Sequence, residues 1–122
     1  MPLWLDEGLA HFFEEPFCQG ERYQRALRKL YRQMTQGKYS LRGLLAAEYF
    51  PNDVFMLIAQ ADHLVSYLRS ILGEEGFNAF LSEYLTAEEQ TSAEFIRAFS
   101  KALGQPRELP QIEAELLKYR IP

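Results

Sequence analysis

The sequence predicts an all-α fold: a compact bundle of about six or seven helices spanning residues 1–122 as a single unit. Three observations carry this. Leucine is abundant while valine, isoleucine and threonine are sparse, a balance that favours helix over strand. Apolar residues recur at i, i+3 and i+4 along most of the chain. Pro16, Gly37, Pro51, Gly73 and Gly104 punctuate the periodic segments, where helices would be expected to stop.

Each helix can be justified in turn. The first runs from about Leu3 to Glu15, because Pro2 suits a helix start and Pro16 ends it. The second runs from Glu21 to Gln36, with Tyr23, Leu27, Leu30 and Met34 on one stripe and Gly37 as the stop. A short helix follows Ser40 through Leu41, Leu44 and Leu45. The longest extends from about Asp53 to Leu72. Val54, Leu57, Ile58, Ala61, Val65, Leu68 and Leu72 keep helical spacing there, and Gly73 closes it. Phe77, Phe80, Leu81, Tyr84 and Leu85 form the apolar face of a further helix. Thr91 and Glu94 have the spacing of a capping box ahead of Phe95, Ile96, Phe99 and Leu103, with Gly104 as the stop. A last helix covers about Pro110 to Arg120, with Ile112, Leu116 and Leu117 inward.

The bulk numbers exclude several classes. A hydrophobic content of 48% with 14% aromatics describes a globular chain, long enough to bury a core without staples. A net charge of −4 argues against a general nucleic-acid binder. No apolar run is long enough to span a membrane. Cys18 is the single cysteine, which excludes an internal disulfide and a thiolate metal cluster, and no activating partner is evident beside it. The N-terminus has no basic stretch ahead of an apolar one, so it does not read as a signal peptide. The chain begins in mid-motif at "PLWLDEG", so the expectation is a piece of a longer protein, whose compartment would be written upstream.

Charge is spread unevenly. Arg22, Arg25, Arg28, Lys29, Arg32, Lys38 and Arg42 hold seven of the thirteen basic residues, while Glu74 to Glu94 is mostly acidic. Two readings fit: solvated helix faces of opposite sign, or a basic surface for an acidic partner. Few aromatics interleave with the cations, so base stacking is not indicated.

The segment "PLWLDEGLAHFFEE" raises the functional question, because Asp6 and Glu7 sit in an otherwise apolar helix. Glu7, His11 and Glu14 share one face, and Leu5, Leu9 and Phe12 lie on another. Glycine within a helix costs about 1 kcal/mol against alanine, and close approach of a neighbour at Gly8 and Ala10 would compensate. A carboxylate beside such a contact suits a metal held jointly with another element, since zinc accepts carboxylate oxygen readily. Asp6 is either a partner that orients Glu7 or a first-turn acid favoured by the helix dipole. His11, one turn from Glu7, is either such a partner or a surface residue. Asp62 and His63 point about 100° apart on their helix and read as structural. Trp4 reads as core packing against a preceding element or its neighbours.

"WLDEGLAHFFE" resembles the second zinc-binding helix of gluzincin metallopeptidases, both the aminopeptidase-N-like enzymes and the peptidase MA-like domains. Their pattern is Trp-Leu-x-Glu-Gly-x-Ala, and the matching glutamate is Glu7, which the resemblance makes the third zinc ligand. The other two ligands and the general base belong to a His-Glu-x-x-His helix upstream. "IAQADHLVSYLRSILGEEGFNAFLSEYL" and "LPQIEAELLKYR" resemble the helices that follow in that family, although only residues 3 to 15 are specific.

Two departures stand out. No His-Glu-x-x-His exists here, His11 and His63 being the only histidines. Ile58 stands where many members carry a tyrosine for the oxyanion; Tyr67 lies more than two turns away along the helix, and Tyr39 or Tyr49 would have to substitute from a loop. The resemblance implies zinc-dependent peptide hydrolysis in the intact protein and an inactive isolated chain without tightly bound zinc.

An exposed apolar patch of Trp4, Leu9 and Phe13 would favour self-association through the first helix. The competing reading is a non-catalytic helical interaction module, with the basic helix at residues 21–42 as its partner surface.

Overall fold

The computed structural model describes the backbone of residues 1–13 and 20–122, and the side chains of residues 1–10 and 20–122. Six helices follow in order: α1 (Leu3–Phe13), α2 (Glu21–Thr35), α3 (Leu41–Ala46), α4 (Val54–Thr86), α5 (Ser92–Leu103) and α6 (Leu109–Lys118). They form an all-helical bundle, with no strand among the described residues.

Local signals set most of the boundaries. Leu5 and Asp6 donate backbone N–H bonds to the Pro2 carbonyl at the start of α1, at 3.2 and 3.0 Å. Ser40, Asp53 and Thr91 cap α3, α4 and α5 by accepting from the backbone N–H of Gly43, Met56 and Glu94. The Thr91–Glu94 pair makes only half of the expected capping box, because the Glu94 carboxylate turns instead to Arg97 at 2.8 Å. α2 ends with Gly37 at φ 71°, the Gly37 and Lys38 N–H groups closing back on the Met34 and Gln33 carbonyls. α5 ends in the same way at Gly104.

The two helices expected on either side of Gly73 are arms of one element. α4 runs through that position with a kink, Gly73 taking φ 75° and ψ 175°. Only glycine adopts this conformation freely, so the sequence stop signal appears as a bend between residues 54–72 and 74–86.

α4 is the spine against which α1, α2 and α5 pack, while α6 packs chiefly against α3. Tyr23, Ala26, Leu30 and Met34 form the buried face of α2. A cluster of rings fills the far end of the bundle. Trp4 lies 6.1 Å from Tyr84 and 5.8 Å, edge-on, from Phe95. Phe80 stacks on Tyr84 at 5.4 Å and meets Phe95 edge-on.

Three expectations change. Trp4 is completely buried by its own chain, because the second arm of α4 and α5 supply the rings that cover it. It therefore offers no exposed patch to a second copy, and Leu9 is itself partly buried, packed against the core. Phe13 lies outside the described side chains. Val54 and Leu85, expected inward, are exposed, since each sits where an arm of α4 runs past its neighbours.

Candidate functional site

α1 holds the acidic pair in an asymmetric setting. Asp6 is exposed, whereas Glu7 is half-buried. Gly8, next in line, is pressed onto α4. A Cβ built there would stand 2.5 Å from Val65 Cγ2 and 2.9 Å from the Ala61 carbonyl oxygen. No side chain larger than hydrogen fits without moving a backbone. The glycine thus permits the close approach that its helix cost suggested. Ala10, the other small residue of that reading, is exposed and makes no such contact.

Glu7 makes no hydrogen bond or ion pair with any other described residue. Asp6 lines an open hollow of about 490 Å³ with Met1, Pro2, Leu45, Glu48 and Gln90. His11, Glu14 and Cys18 lie outside the described side chains. Among the described residues, no three His, Cys, Asp or Glu side chains come together to hold a metal ion.

Ile58 and the tyrosines considered beside it are placed differently from one another. Ile58 is half-buried on the first arm of α4. Tyr67 is buried, and its hydroxyl donates to Glu115 at 2.7 Å, so it is committed within the fold. Tyr39 is buried too. Desolvation, reinforced by the charge of Glu113, holds its hydroxyl well above the usual phenol range. Tyr49 is 83% exposed on the loop before α4.

Asp62 and His63 have structural work. Asp62 accepts a hydrogen bond from Tyr23. His63 is fully buried, with Nε2 2.9 Å from the Tyr119 carbonyl oxygen and the Tyr31 and Tyr119 rings against its own. Ser66 bonds the Tyr119 hydroxyl at 2.6 Å, and Tyr31 accepts the Ile121 N–H at 3.0 Å. Arg120 covers the Tyr31 ring at 4.5 Å. Together these fasten the C-terminal segment to α2 and α4. The sequence carried no clear sign of this cluster, since His63 and Ser66 fall off the apolar stripe of their helix.

Arg22, Arg25, Arg28, Lys29 and Arg32 all lie on the exposed side of α2. No helix of the described residues is long and apolar enough to cross a membrane. No family model, no curated protein and no solved structure matches the chain.

Proposed function

We propose that this chain is the C-terminal helical part of a gluzincin-like zinc metallopeptidase domain, with Glu7 as one of its zinc ligands. The observation that supports this reading is Glu7 itself. It is a half-buried carboxylate without a partner among the described residues, held beside a glycine that locks its helix onto α4. A catalytic zinc site uses three protein ligands, and the described residues supply only this one. The described residues do not complete such a site, and on this reading the remaining ligands and the general base would belong to a preceding His-Glu-x-x-His segment. Zinc in such sites activates water and polarises the scissile carbonyl. The contribution of this chain is to fix the Glu7 carboxylate, because α1 cannot slide along α4 while Gly8 fills its notch.

The test has two arms. Sequencing the gene immediately upstream of the Met1 codon should reveal His-Glu-x-x-His one helix and a loop earlier. In the protein that contains it, Glu7→Gln should lower bound zinc, read by atomic absorption, and remove peptide hydrolysis with the helical circular dichroism unchanged. Full zinc content in that variant would overturn the reading. The second reading, a non-catalytic interaction module, is favoured by the continuous exposed cationic side of α2. Under that reading Glu7→Gln leaves function untouched.

A further inference from the structure

Two surface features far apart in sequence meet at a single ion pair. At about 100° per residue, Arg22, Arg25, Arg28, Lys29 and Arg32 fall within an arc of about 120° on α2. That arc lies opposite the buried Tyr23, Ala26, Leu30 and Met34. Arg25 pairs with Glu21 and Lys29 with Asp53, each at 3.2 Å. Arg22, Arg28 and Arg32 have no ion pair among the described residues. Asp53 is also the N-cap of α4, so the Lys29 contact brings the edge of the cationic arc to the α3–α4 loop. Four large apolar side chains near Asp53 in sequence are open to solvent, Tyr49 at 83% and Phe50 at 50% in the loop and Val54 at 40% and Phe55 at 38% at the start of α4, with exposed Glu48 and Asn52 beside them.

Each half alone has an ordinary explanation; their contiguity narrows the partner. A purely acidic protein segment would use the cations and leave the four apolar side chains in water, whereas exposed apolar patches mark sites that a protein or a membrane covers. A nucleic acid would want aromatics among the cations, and these stand at one edge. An anionic bilayer uses both, since headgroup phosphates attract the Lys and Arg side chains while aromatic residues settle at the interface. We propose that this face lies on the surface of an anionic lipid bilayer, with the α2 cations over the headgroups and the apolar side chains of the α3–α4 loop and the first residues of α4 entering the interfacial layer. The inference does not depend on the role of Glu7.

The experiment is co-sedimentation of the full chain with phosphatidylserine-rich vesicles and with pure phosphatidylcholine vesicles. Binding is expected to the first only, and to weaken as salt screens the charges. Arg28→Glu with Arg32→Glu should lower partitioning by about 25-fold or more, at about fivefold for each cation lost. Phe50→Ser with Phe55→Ser should weaken binding at unchanged charge, and Glu7→Gln should leave it intact. All these positions are exposed or half-buried, so circular dichroism should be unaltered. No binding to either vesicle, or equal binding to both, overturns the proposal. So does binding that survives loss of the two phenylalanines. Capture of poly-glutamate by the same arginines, without vesicle binding, would assign an acidic protein instead and overturn it as well.

Discussion

α1 and the C-terminal segment are both laid onto α4, but they are held by opposite means. α1 is held by shape. Gly8 admits no Cβ against Ala61 and Val65, and Trp4 is enclosed by Tyr84 and Phe95. The C-terminal segment is held by polar contacts: His63 to the Tyr119 carbonyl, Ser66 to the Tyr119 hydroxyl, Tyr31 to the Ile121 N–H. Apolar packing is close to indifferent to pH and intolerant of volume change. A hydrogen-bonded attachment tolerates small changes of volume and responds to protonation. The difference places the rigid attachment beside Glu7 and the titratable one at the other edge of the spine.

The largest expected break is Trp4→Ala. Removing a fully buried ring from that cluster should cost about 3–5 kcal/mol, read as a lowered urea midpoint. A loss below about 1 kcal/mol would mean that the rings collapse into the space. Gly8→Ala comes next, at about 1–3 kcal/mol, because the nearest obstacles include the backbone carbonyl of Ala61, which cannot rotate away. Gly73→Ala should cost about 1–3 kcal/mol for a different reason. Nothing lies within 4 Å of a Cβ there, so the penalty is purely that of holding φ 75° with a side chain. A variant that keeps its stability would show that α4 straightens.

The polar attachment should show itself through pH. Burial lowers the His63 pKa below its ordinary 6.5. The Arg120 charge acts in the same direction, while the bond to the Tyr119 carbonyl and the Asp62 charge act against it. The unfolded chain therefore takes up the proton first as pH falls. Stability from this group is complete above the unfolded pKa and declines below it, toward the folded value, by no more than the slope of one proton. Chemical denaturation at a series of pH values should reveal that slope, and His63→Gln should remove it. The smallest effect is Tyr67→Phe, at about 1 kcal/mol, since Glu115 loses one hydrogen bond but keeps Arg107 at 3.5 Å.

The helical class, the cap at Thr91 and the stops at Gly37 and Gly104 were legible in the sequence because each depends on neighbours within a turn. Gly8 was legible too, as an unusual residue in a helix that needed a reason. The surroundings of Trp4 were not, because Tyr84 and Phe95 lie far along the chain and no local period announces them. The C-terminal attachment was hidden likewise: a lone histidine on a helix does not say which carbonyl it will meet. For the candidate site, the sequence singled out Glu7 and a resemblance. The tertiary structure added that its carboxylate is half-buried beside an immovable contact.

What the sequence determined alone was therefore the list of helices and the chemistry available on each, since propensity, capping and periodicity act over a few residues. What only the tertiary structure decided was which faces meet. It turned the stop at Gly73 into a bend, buried Trp4 within its own chain, and set the cations of α2 beside the aromatics of the α3–α4 loop. Such contacts join residues tens of positions apart, and they are chosen by how volumes and charges fit once every helix is in place.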